Sequence, residues 1–321
     1  MIQLSRRHFV QSLCAAGAAS PVIAGCATAQ PASFFQRQNT PIGIQLYTLG
    51  DLLTKDFDGT IAKVAQIGYK TVETPSYMGK TPAQLRTAFD ANGLKCTSAH
   101  IAMRPGTAAE PGLTGDLSRL AADMHTMGAT HVICPAMAIP DDIKLTPEPN
   151  EGFRLIVRVV NAMTADHWKR MAGQLNDIGR KLKADGIKFG YHNHNFEFVK
   201  VGDTTGYELL IANTDPALVT FELDIGWAAA AGRDPVSLFN AHKGRFGAMH
   251  VKDIKASTKP NIELKMDPTE VGSGELDWKT IMPAAHAAGV REFFLEQEPP
   301  FEKTRLEAAE IGYNFLSKLE A

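Results

Sequence analysis

The chain has 321 residues, is 44% hydrophobic, 21% charged and 8% aromatic, and carries a formal net charge of −2 from 33 basic and 35 acidic side chains. Those globular proportions exclude a disordered, collagen-like or coiled-coil protein, and 4 cysteines in this length exclude a disulfide scaffold. The near-balanced charge gives no ground for nucleic acid or an anionic membrane surface as a partner, and the length fits two domains or one α/β barrel of roughly 250 residues.

Residues 1–30 carry Arg6 and Arg7, no Asp or Glu, and a small-residue apolar stretch from Phe9 to about Ala29. Ser5-Arg6-Arg7-His8-Phe9-Val10 resembles the twin-arginine export motif, so the stretch reads as a cleavable signal. Gly17, Ser20 and Pro21 interrupt it, which counts against a membrane-spanning helix. Two endings compete. Ala27-Thr28-Ala29 before Gln30 resembles a cleavage site, and Ile23-Ala24-Gly25-Cys26 resembles a lipobox in which Cys26 would carry a lipid. Loss of Arg6 and Arg7 takes the charge from −2 to −4. The expectation is an exported, periplasmic protein, reaching the membrane only through a lipid on Cys26. Phosphorylated sugars are scarce outside the cytoplasm, so an unphosphorylated substrate is expected. Cys96 and Cys134 lie in apolar runs and are expected as buried free thiols, in a compartment that permits a disulfide.

From residue 41 onward strands and helices alternate. Ile42–Tyr47 reads as a strand, and Asp58–Ile67 as a helix stopped at Gly68. Tyr69–Glu73 is the second strand. Thr81-Pro82 opens a helix with a cap and a first-turn proline, closed at Asn92-Gly93. Lys95–His100 is a strand, Leu113–Met127 a helix closed by Gly128, and Thr130–Cys134 a strand. The connection from Pro135 to Ala165 is long enough for a lid or binding loop, part-helical around Phe153–Asn161. A helix over Asp166–Ala184 precedes strands at Ile187–His192, Leu218–Asp224, Arg245–Val251 and Arg291–Glu296. Helices near Thr205–Ala212, Asp234–His242 and Asp277–Ala288 separate them, and a last one covers Glu302–Leu319. Eight strands with crossover helices predict parallel pairing and closure into a (β/α)8 TIM barrel over residues 41–321. A glycine-rich phosphate loop, expected of an open doubly wound sheet, is missing after the first strand.

Polar residues crowd the strand ends, where a barrel of this kind does its chemistry. They are Gln45 and Tyr47, Glu73, His100, the run Tyr191-His192-Asn193-His194-Asn195-Phe196-Glu197, Asp224, His250 with Lys252 and Asp253, and Glu296-Gln297-Glu298. Each follows an apolar run, and a buried charge calls for a partner or a metal. Asp224, His250, Glu296 and a fifth-strand histidine would offer nitrogen and oxygen donors suited to Mn, Co, Zn or Fe in the +2 state. His192 and His194 are two apart, so in a regular strand both rings share a face. Taken singly, a histidine near a strand end is commonly a satisfied core residue, and His125, His131, His167, His242 and His286 read as structural or solvated.

Gly43-Ile-Gln-Leu-Tyr47, Gly68-Tyr-x-x-Val-Glu73, Tyr191-His-Asn-His-Asn-Phe-Glu-Phe198, Glu222-Leu-Asp-Ile-Gly-Trp227, Gly232-x-Asp-Pro235, His250-Val-Lys-Asp253 and Val271-Gly-Ser-Gly-Glu275 occur in this order. The series resembles the sugar phosphate isomerase/epimerase family with the xylose-isomerase-like TIM barrel, from about Pro41 to the C-terminus. The resemblance implies a metal held by His192, Asp224, His250 and Glu296. His192 stands where many members have Glu, with His194 and Glu197 as alternative ligands. That departure counts against a standard 3-epimerase, in which two carboxylates flank the metal. His194 is the implied base or acid, with Glu73 as runner-up. Lys252 and His100 would bind substrate oxygens, and Gln45, Tyr47 and Glu197 would line the pocket. The implied activity is metal-dependent isomerisation or epimerisation of an unphosphorylated sugar, through proton abstraction next to a carbonyl and an enediolate. A lyase or hydratase acting on a 3-keto-glycoside would begin with the same step. A non-catalytic sugar-binding lipoprotein is the alternative from another class. The endonuclease branch is disfavoured by an acidic chain.

Overall fold

Short apolar segments that end in polar residues form the walls of a closed barrel. The computed structural model describes residues 32–104, 110–146, 148, 152 and 154–321. The segment read as an export signal, with Cys26, lies outside the described residues. The eight strands are β1 Gly43–Gln45, β2 Thr71–Thr74, β3 Lys95–His100, β4 His131–Cys134, β5 Lys188–His192, β6 Thr220–Asp224, β7 Phe246–Val251 and β8 Glu292–Leu295. All pair in parallel with their sequence neighbours, and β8 closes on β1. Their C-terminal ends therefore share one rim. Two irregularities break the ladders, between Val72 and Glu73 on β2 and between Phe221 and Glu222 on β6.

Local signals set the helices around the barrel. Pro82–Ala91 begins with a Thr81–Gln84 capping box and a first-turn proline. Asp116 caps Leu117–Met127, which ends at Gly128 with φ +84°. The long connection before β5 carries a helix at Arg154–Ala162, leading into Ala165–Ala184. A short helix at Ile225–Ala230, capped by the Asp224 side chain, lies directly after β6 and was not expected from the sequence. Nor was Phe34–Arg37. Phe34 and Phe35 pack edge-on against Phe293 at the start of β8, the Phe34 amide donates to the Leu319 carbonyl at 2.7 Å, and Arg37 bridges the carbonyls of Ala32 and Ala321.

The helices dock closely. A Cβ on Gly179 would stand 2.4 Å from the Leu218 carbonyl oxygen, a backbone atom with no rotamer to yield. Gly179→Ala is expected to lower stability by about 1–3 kcal/mol, read as a shift in the urea midpoint at unchanged slope. Cys96 and Cys134 are buried free thiols, both pushed up to about 12 by burial. Among the described residues no helix is long and apolar enough to cross a membrane.

Candidate metal centre

Strand register assembles the site. His192 on β5 lies beside Glu222 on β6, and Asp224 beside His250 on β7. Glu222 and Asp224 are two apart and so face the barrel interior together, as do His250 and Lys252. Glu296 follows directly after β8. Asp224, His250 and Glu296 each bring a donor atom within 4.8 Å of the others. His250 Nδ1 lies 2.6 Å from Glu296 Oε2 and 3.6 Å from Asp224 Oδ2, and His192 Nε2 lies 3.9 Å from Asp224 Oδ2. Asp224 Oδ1 accepts the Trp227 amide at 2.8 Å. Its Oδ2 is buried and, ion contacts aside, takes no hydrogen bond. This carboxylate oxygen, which faces two imidazole nitrogens as well as the Lys252 ammonium at 2.7 Å, belongs with Glu296 to a set of mixed nitrogen and oxygen donors that fits a divalent ion. His192, Asp224, His250 and Glu296 would hold it.

Lys252 stands at the same place. It is fully buried, with Nζ at 2.7 Å from Asp224 Oδ2, 2.9 Å from Glu296 Oε2 and 3.2 Å from Glu298 Oε1, and 5.2 Å from the centre of the Trp227 ring. Burial alone would lower the ammonium, but Asp224, Glu296 and Glu298 hold it well above the ordinary lysine range. The His194 ring packs on His192, Phe196 and Trp227 at 5.0, 5.3 and 5.6 Å between centroids. The HxH pair thus meets on one side, although the regular strand ends at His192. Burial, then the neighbouring His192 and Lys252, push His194 well below the usual histidine value. It is a neutral imidazole whose buried Nδ1 has no partner.

Several expected pocket residues sit deeper than the sequence suggested. Glu73 is wholly buried; its Oε1 accepts from Gln45 Nε2 at 2.7 Å and His250 Nε2 at 2.7 Å, and its Oε2 from the Ser98 hydroxyl. A carboxylate so occupied is not placed to take a proton from substrate. Gln45 is fully buried too, with its Oε1 accepting the Tyr47 amide. His100, 7% exposed, lies with Nε2 2.9 Å from both Glu73 and Glu222. Burial opposes its charge, but the two carboxylates, Glu73 foremost, raise it to about 9. Glu197 does not line the pocket either. Its Oε1 accepts from Tyr191 OH at 2.7 Å and its Oε2 from the His194 amide at 2.8 Å, and burial lifts its carboxyl to about 8. It braces the turn that carries His194. Tyr47, 44% exposed, is the expected residue that stands at the rim.

Asp253 does not pair with Lys252. Its Oδ2 accepts from the amides of Gly272 and Gly274 and from Trp278 Nε1, at 2.9, 3.2 and 2.9 Å, stitching the Val271–Glu275 turn to the barrel. Asp253→Ala is expected to cost about 3 kcal/mol, because buried donors lose their acceptor. Metal stoichiometry would stay unchanged, measured on protein that still folds.

Glu222 and Ser98 were not among the expected site residues, and Glu298 was expected at the strand end without a role. Glu222 is wholly buried, and its Oε2 meets His100 Nε2, His192 Nδ1 and His250 Nε2 at 2.9, 3.0 and 3.1 Å. The available signal was a charged residue inside the apolar run Phe221–Leu223, two before Asp224 and so on the same face. Glu222 forms with His100, His192 and His250 a second close set of donor atoms beneath the first.

With fold and site in view, the chain belongs to the xylose isomerase-like TIM barrel family, whose model matches residues 61–319. Inosose dehydratase of Lacticaseibacillus casei is 24% identical over 268 residues, which span 77% of this chain and 85% of that protein. The crystal structure of a sugar phosphate isomerase/epimerase from Parabacteroides distasonis matches with a TM-score of 0.67 and 25% identity, over 86% of this chain and 97% of that one. A zinc-bound IolI protein matches with a TM-score of 0.58 over 88% of this chain and 99% of that one; at 14% identity the likeness is one of fold.

Proposed function

We propose that this chain is a divalent-metal-dependent enzyme that removes the proton next to the carbonyl of an unphosphorylated, polyhydroxylated ketone and then expels the oxygen substituent one carbon further on, as a dehydratase or lyase. The observation that carries this reading is the pair of unlike groups beside the donor set. They are the neutral His194, with an unpartnered Nδ1, and the charged Lys252, both packed on Trp227. The inosose dehydratases among its relatives, which by name act on a cyclic polyhydroxy ketone, support it.

The residues divide the work as follows. A bound divalent ion would supply Lewis-acid polarisation of the carbonyl and of its neighbouring oxygen. His194 Nδ1 takes the proton from carbon, leaving the electron pair as an enolate. Lys252, fixed in its charged form, donates a hydrogen bond to the developing negative oxygen. Collapse of the enolate breaks the bond to the β-oxygen, which leaves as water or an alcohol on receiving the proton that His194 took up, so the imidazole returns to its neutral form. Glu197 keeps the His194 turn in place throughout. A phosphate group would meet Asp224, Glu296 and Glu298, which counts for an uncharged substrate, as does the export signal expected at residues 1–30. Asp224, His250 and Glu296 bring donor atoms within 4.8 Å of one another, which counts against a decayed, purely sugar-binding site.

Return of the proton to carbon would instead give isomerisation or epimerisation. The Parabacteroides neighbour favours keeping that as the second reading. His192 on β5, where a two-carboxylate epimerase needs Glu, is the feature against it. The experiment is incubation of metal-stripped protein with Mn, Co or Zn in deuterated water, with inososes and 3-keto-glycosides, followed by mass spectrometry. Metal-dependent loss of water or of an aglycone is the expected result. Deuterium uptake without bond cleavage would replace elimination by epimerisation. No exchange with any ketone would overturn the enzyme reading.

A further inference from the structure

Beneath the donor set lies a pair of carboxylates that the proposed reaction does not use. Each follows a break in its strand ladder: opposite β3 between Val72 and Glu73, and opposite β7 between Phe221 and Glu222. The extra residue in each ladder, Thr97 on β3 and Gly247 on β7, lies on the neighbouring strand, and both glutamates are fully buried.

Their contacts with the two ligand imidazoles are complementary. His250 Nε2 lies 2.7 Å from Glu73 Oε1, while its Nδ1 faces Glu296 and Asp224. His192 Nδ1 lies 3.0 Å from Glu222 Oε2, while its Nε2 faces Asp224. A carboxylate is an acceptor, so the ring nitrogen against it must carry the hydrogen. In His192 the other nitrogen, Nε2, is then free to present its lone pair to a metal. In His250 both nitrogens face carboxylates, but those at Nδ1, Glu296 and Asp224, would themselves be ligands of the ion, so its binding displaces the Nδ1 hydrogen and leaves the one held by Glu73. The two histidines are thus set in opposite tautomers, His250 binding through Nδ1 and His192 through Nε2. His100 Nε2, 2.9 Å from each carboxylate, ties the pair together from the far side.

Resting on the metal-centre reading above, we propose that Glu73 and Glu222 are positioning residues that fix opposite tautomers of His250 and His192 and so aim both rings at one divalent ion. Carboxylates behind metal-bound imidazoles raise ligand basicity and hold ring orientation, and their loss typically weakens metal binding about 10–100-fold. The arrangement also corrects the expectation that Glu73 exchanges a proton with substrate.

The test reads the metal and the rings rather than turnover. The full chain is labelled with 15N-histidine, loaded with Zn, and its imidazole tautomers are read by NMR. The expected result is a protonated Nε2 on His250 and a protonated Nδ1 on His192, assigned with His100→Gln and His194→Gln variants. Chelator competition with Co on Glu73→Gln and Glu222→Gln is expected to show affinity weakened about 10–100-fold, one ion still bound at saturation, and a shifted visible spectrum. Glu222→Asp, which keeps an acceptor, is expected to recover part of the affinity. Reversed tautomers would overturn the proposal, as would unchanged Co affinity and spectrum in both Gln variants. So would loss of the ion in Glu222→Ala and His100→Ala with retention in Asp224→Ala, because the deeper donor set would then be the binding site. Wild-type protein that binds no divalent ion would instead overturn the metal-dependent function itself. Circular dichroism on each variant separates these outcomes from failure to fold.

Discussion

Asp224→Asn loses the divalent ion and at least about a hundredfold in turnover, the equivalent of roughly 3 kcal/mol in the barrier, while the barrel stays folded. Asparagine is the informative replacement because Asp224 has two separate tasks. Its Oδ1 caps the helix Ile225–Ala230 through the Trp227 amide, and an amide oxygen can do the same. Its Oδ2 carries the charge that faces His192, His250 and Lys252, and the amide cannot supply that. Elemental analysis of dialysed protein, alongside a thermal melt, checks the prediction. Retention of a full equivalent of metal with an unchanged rate would remove Asp224 from the site. A large fall in melting temperature would show that the cap fails with asparagine in place.

The second large effect is one of stability. Lys252 is a wholly buried cation among three carboxylates. Lys252→Met keeps most of the stem, which lies against Gly226, and removes the charge. Glu298 loses its cation, Asp224 and Glu296 keep only the imidazoles of His192 and His250, and breaking a buried ion pair from one side costs about 3–5 kcal/mol. In metal-free protein the urea midpoint should fall accordingly. A divalent ion that binds the same carboxylates should restore part of it, about 2.7 kcal/mol at a hundred times its dissociation constant. Catalysis should not return with stability, because the hydrogen bond to the substrate oxygen is gone. A variant as stable as wild type without metal would show that the three carboxylates do not need this cation.

The barrel was legible because its signals are local and repeated. Apolar runs of four to six residues, each followed after a helix-length segment by a stop such as Gly68 or Gly128, leave few architectures open. Helices resting on weaker signals escaped notice. Ile225–Ala230 has an apolar composition that reads as a continuation of β6, and only the cap by Asp224 turns it into a helix. Of the site, the residues at strand ends could be found by position, and the structure brings Asp224, His250 and Glu296 together, with His192 Nε2 3.9 Å from Asp224 Oδ2. Their division of labour could not be read in one dimension. Glu73, Gln45 and His100 occupy strand ends as Asp224 does, yet they point into a closed hydrogen-bond network. Glu197, six residues past the start of its motif, belongs to a turn that folds back on Tyr191, a contact that only the path of the chain determines.

The fastening of Phe34–Arg37 to Phe293, Leu319 and Ala321 gathers both described chain ends beside the start of β8, whereas Glu296 follows that strand's end. A tether at residue 32 or residue 321 therefore pulls from the floor of the molecule. Fixed to a bead or a vesicle by either end, the protein would still present its reactive rim to the surrounding solution and turn over substrate much as it does when free.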